Sequence, residues 1–334
     1  MVKNSVLITP RSFARLDNRP LIYLQEAGCF IERNKKQTPY SEEEMAKAIS
    51  GIDALLVGLD PVTEKVLAAA PRLKVVSKYG AGLDNIDLDA ATHYGVVVTN
   101  TPGANTEAVA DLTYGLMLAV GRRIVEAHES VRAGLWESFL GVDLWGKALG
   151  IIGTGRIGRA VAYRARGFNM QILSYDCNPD HCWAESCGAS CVSLKDLMRQ
   201  SDYVTVHLPL TEETRGLIGG DLLKLMKPSA ILVNTSRGGI VDETALVEIL
   251  KQDKIFGAAL DVYCIEPLEN KDILSSPRLL TTPHISAHSS GSLLKMGMMA
   301  ADNLVRVLQN QRPEHVANPA VYKTIKEGDS GEDK

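Results

Sequence analysis

Arg237, Glu266 and His284 are the side chains of this sequence whose types and spacing best suit acid–base chemistry on a small anion. Arg237 lies in Asn234-Thr-Ser-Arg-Gly-Gly239, after a buried-strand pattern and before Val241-Asp-Glu, a helix start. Glu266 lies in Leu260-Asp-Val-Tyr-Cys-Ile-Glu-Pro267 and His284 in Thr282-Pro-His-Ile-Ser-Ala287, each after a further strand pattern. A 2-oxo acid has a carboxylate that arginine grips bidentately and a carbonyl that arginine polarises. Reducing that carbonyl takes a hydride and a proton for the developing alkoxide, and histidine is the natural acid near neutral pH. A neighbouring carboxylate would hold the imidazole and keep it protonated. Singly, each residue also has a structural account: Arg237 capping a helix, Glu266 a loop carboxylate before proline, His284 a hydrogen-bonded core histidine.

What joins them is a source of hydride. Gly153-Thr154-Gly155-Arg156-Ile157-Gly158 is a G-x-G-x-x-G sequence between a buried-strand pattern and a helix pattern over 156–167. Asp176 ends the next strand pattern, with seventeen residues between it and Gly158. Such glycines permit a tight turn (Gly153), close backbone approach to a pyrophosphate (Gly155) and tight helix–strand packing (Gly158). The helix start offers free N–H groups and the positive end of its dipole to the anion. Asp176 suits a ribose 2′-OH and repels a 2′-phosphate, and no arginine follows in Cys177-Asn178. The expected cofactor is therefore NAD.

These residues need open α/β sheets to position them, because ligands bind there beyond the carboxyl ends of strands. The first hundred residues alternate strand patterns (Val6–Ile8, Ala54–Gly58, Leu73–Ser77, Gly95–Thr99) with helical ones (Leu21–Ala27, Thr63–Ala70). Asn100-Thr-Pro-Gly interrupts this series, as a crossing between domains would. A second series starts at Ala148 and has later strands at Met170–Tyr175, Tyr203–His207, Ala230–Asn234, Phe256–Leu260 and Leu279–Thr282. Glu243–Lys251 and Ser292–Leu308 read as helices, and the polar tail from Lys323 is expected to be loose at its end.

Composition agrees with this picture and narrows it. With 334 residues the chain has room for about two domains. Hydrophobic residues are 45% and charged residues 23%, as in globular proteins. A net charge of −4 and 5% aromatics give no general pull towards nucleic acid or a membrane surface. The N-terminus has no signal-peptide pattern, and the longest apolar run, Leu112–Val120, is far short of a membrane span. Six cysteines suit a reducing, cytoplasmic setting better than a disulfide scaffold. Cys177, His181, Cys182, Cys187 and Cys191 cluster, but without a C-x-x-C pair, so free thiols are expected and no metal.

The glycine fingerprint with Asp176, Arg237 in Asn-Thr-Ser-Arg-Gly, Glu266 before Pro267, and His284 in Thr-Pro-His-Ile together resemble the D-isomer-specific 2-hydroxyacid dehydrogenases. The likeness runs from about residue 5 to 320, in motif order. It implies two doubly wound α/β domains: a Rossmann-type NAD-binding domain (102–290) inserted into a smaller, flavodoxin-like substrate-binding domain (1–101 with 291–334). It also implies a homodimer built on the cofactor domain. By the same resemblance Arg237 binds substrate, His284 is the acid/base and Glu266 its partner. Asp261 would face the nicotinamide carboxamide, Thr235, His207 and Pro209 would line the cofactor, Ala287 would lie near the nicotinamide, and Val109 would pack on the ring. Simple helix packing accounts for Val109 equally well.

The loop Lys78-Tyr79-Gly80-Ala81-Gly82 follows a strand of the first series, and its glycines free the amides of Gly80, Ala81 and Gly82 for an anion. In the resembling family this loop holds the substrate carboxylate. Lys78 either adds charge there or is an ordinary solvated lysine. The loop and Trp136 are closest in style to the phosphoglycerate dehydrogenase branch, yet Val57-Gly-Leu-Asp-Pro61 and Glu137-Ser-Phe-Leu140 lack its basic residues, and no C-terminal regulatory domain is expected after residue 334. The expected substrate is thus an unphosphorylated 2-oxo acid such as hydroxypyruvate or glyoxylate, with D-3-phosphoglycerate as the alternative. An NAD-sensing, corepressor-like binding protein is the rival of another class. Formate chemistry is disfavoured, because the resembling formate enzymes carry glutamine where Glu266 stands.

Overall fold

A computed structural model of the chain describes residues 4–36 and 38–329. It divides into two compact units, residues 1–105 with 288–334, and residues 106–287.

The first unit holds a parallel sheet of β1 (Ser5–Ile8), β2 (Phe30–Arg33), β3 (Ala54–Val57), β4 (Val75–Lys78) and β5 (Val97–Thr99), in the order β2-β1-β3-β4-β5. This is the flavodoxin-like order. The central strands are fully buried because helices cover both faces. Leu55, Val57 and Val76 pack with Met45 of the helix Glu42–Ala48, with Ile49 at its C-cap, and with Val66 and Leu67. Neither that helix nor β2 is evident in the sequence. β2 is a mostly exposed edge strand, Phe-Ile-Glu-Arg, with no apolar periodicity. The helix Ser290–Leu308 returns to this unit, where Ser77 Oγ donates to Ala300 O at 2.8 Å. Beyond it a helix spans Val321–Asp329, and the very end, 330–334, where the tail is expected to be loose, lies outside the described residues.

The second unit holds seven parallel strands: β6 (Ala148–Ile152), β7 (Gln171–Tyr175), β8 (Ala189–Cys191), β9 (Tyr203–Val206), β10 (Ile231–Asn234), β11 (Gly257–Leu260) and β12 (Leu279–Thr281). Their order is β12-β11-β10-β9-β6-β7-β8, the Rossmann order with one added strand. Alternate residues feed opposite faces. Ile231 and Val233 join Leu116, Met117 and Val161 on one side, while Leu232 joins Leu246, Ile249 and Leu250 on the other. The apolar run Leu112–Val120 belongs to the helix Thr106–Gly121. Among the described residues no helix is long and apolar enough to cross a membrane.

Candidate active site

Strand order reverses between β6 and β9, and the loops after β6, β7 and β9 carry the fingerprint residues. Gly153 turns with φ +96°, and a Cβ on Gly158 would lie 2.0 Å from the Gly153 carbonyl oxygen. Only glycine allows that approach of helix to strand. Gly155, in contrast, faces open space, and no side chain caps the helix Arg156–Ala165 that it begins. Asp176 follows β7 and accepts from both Thr154 N (2.7 Å) and Thr154 Oγ1 (3.0 Å) at Oδ2, and from Asn178 N (3.0 Å) at Oδ1. Burial pushes its carboxyl pKa up, but these donors together outweigh burial and leave it below its ordinary value. His207, after β9, meets Thr205 Oγ1 through Nε2 at 2.9 Å. Its Nδ1 is shut from solvent without a protein partner, and burial lowers the imidazole pKa to about 3. A neutral ring with an unmet nitrogen suits a site that a ligand completes.

The three neighbouring strands β10, β11 and β12 carry the expected acid–base residues at their carboxyl ends. His284 Nδ1 lies 2.7 Å from Glu266 Oε2, with the two side chains 27% and 26% exposed. Glu266 Oε1 also accepts from Tyr263 N at 3.1 Å. Burial raises the Glu266 pKa, but the His284 hydrogen bond and charge, the Tyr263 amide and the Arg237 charge bring it below its ordinary value. Glu266 is therefore ionised and accepts a hydrogen bond from the Nδ1–H of His284, which leaves Nε2 for a substrate.

Arg237 sits in a turn held by Asn234, whose Nδ2 donates to Arg237 O at 2.9 Å and whose Oδ1 accepts from Ser236 N and Oγ. The Arg237 and Glu266 loops touch backbone to backbone: a Cβ on Gly238 would lie 1.9 Å from the Tyr263 carbonyl carbon. A depressed carboxylate pKa gives stability above the ordinary value, lost as pH falls through the lowered one. Glu266→Gln should therefore lower Tm most near neutral pH, with the gap to wild type closing below about pH 4. A gap that does not change in thermal melts across pH 3–8 would refute the pairing.

Asp261 has a task that sequence reasoning missed. The resemblance places it against the nicotinamide carboxamide, yet it is 0% exposed. Its Oδ1 accepts from Thr282 Oγ1 (2.6 Å) and Ile285 N (2.9 Å), and its Oδ2 from Ser286 N (2.8 Å). His284, between these donors, has φ +52°, a left-handed conformation costing about 1–3 kcal/mol in a non-glycine residue. The buried carboxylate over-determines the turn and so fixes where the imidazole stands. Thr235 is buried, with its Oγ1 3.1 Å from Thr113 Oγ1, and Val109, one turn earlier on that helix, is buried as well. Pro209 and Ala287 lie in the loops after β9 and β12.

In the first unit the expected substrate loop differs from its sequence reading in three respects. Lys78 is not solvated: it is 6% exposed, and its Nζ donates to Gly58 O and Asn85 Oδ1 at 2.5 Å each. Tyr79 is buried edge-on against Phe13, and its OH donates to Leu293 O at 3.1 Å, so its side chain is structural. The Gly80 amide is not free, because it donates to Thr101 Oγ1 at 3.0 Å. Among the described residues no bond is seen for the Ala81 and Gly82 amides.

Residues 114–286 match the family model described as D-isomer specific 2-hydroxyacid dehydrogenase, NAD binding domain. A glyoxylate reductase of Korarchaeum cryptofilum (strain OPF8) is 42% identical over 86% of this chain and 90% of that protein. The chain belongs to the D-isomer-specific 2-hydroxyacid dehydrogenase family. A D-3-phosphoglycerate dehydrogenase of Methanocaldococcus jannaschii is 41% identical over 84% of this chain but only 54% of its own length. The crystal structure of a glyoxylate reductase from Paecilomyes thermophila superposes with TM-score 0.82 at 31% identity, covering 95% of this chain and 99% of that one.

This dehydrogenase is accordingly an NAD-binding oxidoreductase acting on a 2-hydroxy acid. The uncapped helix start, the open face of Gly155 and the unmet His207 nitrogen fit a dinucleotide. The cysteine-rich segment supplies no alternative centre. Its thiols are unpaired, and among the described residues no three ligating side chains are grouped to hold a metal.

Proposed function

We propose that this dehydrogenase interconverts a small, unphosphorylated 2-oxo acid of the glyoxylate or hydroxypyruvate type and its D-2-hydroxy acid. The Glu266–His284 pair at 2.7 Å, on the sheet edge that also carries Arg237, is the observation on which this rests. Arg237 grips the substrate and polarises its carbonyl. His284 gives a proton from Nε2 to the carbonyl oxygen during reduction and takes it back during oxidation, while Glu266 holds the ring through Nδ1. When bound along Gly153–Gly158, Asp176 and His207, NADH supplies the hydride received by the carbonyl carbon. The second unit is thus the cofactor domain, and the loop amides of Ala81 and Gly82 in the first unit suit a carboxylate.

The absence of a phosphate grip favours the unphosphorylated substrates. Lys78 is buried and engaged, and the loop after β3 presents Leu59 where an arginine would be wanted. The glyoxylate reductases among its relatives point the same way. A panel of 2-oxo acids assayed by NADH absorbance tests the reading. Glyoxylate or hydroxypyruvate should exceed 3-phosphohydroxypyruvate in kcat/KM, and turnover of none would leave an NAD-binding protein of another kind. Asp176→Ala should lower the NADH-over-NADPH preference about 10–100-fold in kcat/KM, or ~1.4–2.8 kcal/mol. An unchanged preference would remove Asp176 from the ribose site. Free cysteines suit a cytoplasmic setting. A homodimer is supported by exposed apolar side chains close in sequence, Trp136 (93% exposed), Leu140 (88%) and Trp145 (66%).

A further inference from the structure

Two carbonyls of the Gly80–Gly82 loop are tied back by the chain that follows β5. Thr101 N donates to Gly80 O at 3.0 Å, and Asn100 Nδ2 donates to Ala81 O at 2.8 Å. Thr101 Oγ1 also takes the Gly80 amide at 3.0 Å. Asn100 is itself braced, since Asn303 Nδ2, buried on the returning helix Ser290–Leu308, donates to Asn100 O at 3.1 Å.

A trans peptide is planar, and its N–H points opposite to its C=O. Drawing Gly80 C=O towards Thr101 therefore turns the Ala81 N–H away from it. Drawing Ala81 C=O towards Asn100 likewise turns the Gly82 N–H away. Two successive amides are thus aimed outward by two bonds made behind them, the arrangement that binds an anion. We infer that Asn100 and Thr101 are positioning residues that build a two-amide carboxylate site from Ala81 and Gly82. The third amide of the run, on Gly80, is consumed in anchoring the loop. This inference deepens the proposed function and rests on its reading of the loop as the carboxylate anchor.

The sharpest variant is Asn100→Asp, because a carboxylate cannot donate to Ala81 O and instead competes for the loop amides. Thr101→Val removes the hydroxyl that holds Gly80, and Thr101→Ser restores it. The measurements are KM and kcat for glyoxylate, NADH affinity by fluorescence titration, and Tm. Asn100→Asp and Thr101→Val should raise the glyoxylate KM about tenfold, equivalent to ~1.4 kcal/mol, with kcat and NADH affinity retained. Thr101→Ser should behave as wild type. An unchanged KM in the folded variants overturns the inference, as does a parallel loss of kcat, NADH affinity and KM, which marks general disruption. If Asn100→Asp does not fold, Asn100→Ala, which equally lacks the donor to Ala81 O, decides. Failure of the underlying function looks different, because wild type itself would then reduce no 2-oxo acid.

Discussion

Replacing His284 by alanine is expected to lower kcat for 2-oxo acid reduction by about 10²–10⁴-fold, the usual contribution of a placed acid–base group. NADH affinity should not change, because the fingerprint residues lie after β6, β7 and β9, whereas His284 follows β12. Ionised Glu266 occupies Nδ1, so the proton that reaches the alkoxide has to leave from Nε2. Truncation removes that proton source but leaves the Asp261 clamp on the turn in place. It also relieves the left-handed backbone strain only slightly, since alanine still carries a Cβ. Stopped-flow binding and steady-state turnover of the same variant separate the two effects. A variant that turns over at the wild-type rate would exclude His284 as the acid.

Arg237→Lys is expected to cost about 10²–10³-fold in kcat/KM, comparable with losing a preorganised oxyanion donor. Lysine preserves the charge but not the planar fork, so a large loss in this variant distinguishes bidentate recognition from simple attraction. The guanidinium belongs to a stiff turn. Asn234 closes it from one side, and the Gly238 contact with Tyr263 fixes it against the Glu266 loop. The guanidinium itself donates from Nη1 to Ser236 O at 2.7 Å, so the lysine variant should melt somewhat below wild type while the Asn234 bonds keep the turn closed. Activity within the error of wild type, measured across a range of substrate concentrations, would make Arg237 a bystander.

The parts of the site that could be read in the sequence are those generated locally. A strand, a turn and a helix start are each encoded within a dozen residues, so Gly153–Gly158, Asp176, Arg237, Glu266 and His284 fall at strand ends by pattern alone. Residues whose state depends on distant neighbours were read less well. Lys78 looks solvated until Gly58, 20 residues away, accepts from its ammonium. Tyr79 looks like a binding residue until its hydroxyl meets Leu293, 214 positions away. Asp261 appears free for a ligand because the three groups that consume its carboxylate lie 21 to 25 residues further on.

Sequence alone determined the two parallel α/β series, the dinucleotide loop, NAD as cofactor and the placing of Arg237, Glu266 and His284 at strand ends. Each is a matter of residue type and spacing along one strand–turn–helix unit, which the backbone periodicities of 2 and 3.6 make readable. Only the tertiary structure decided which polar groups remain available for a ligand. It left His284 Nε2 and the Ala81 and Gly82 amides, and it withdrew the Gly80 amide, the Tyr79 hydroxyl and the Asp261 carboxylate. The physical reason is that a buried polar group must find a partner, and that partner is chosen by packing in space rather than by position in the chain.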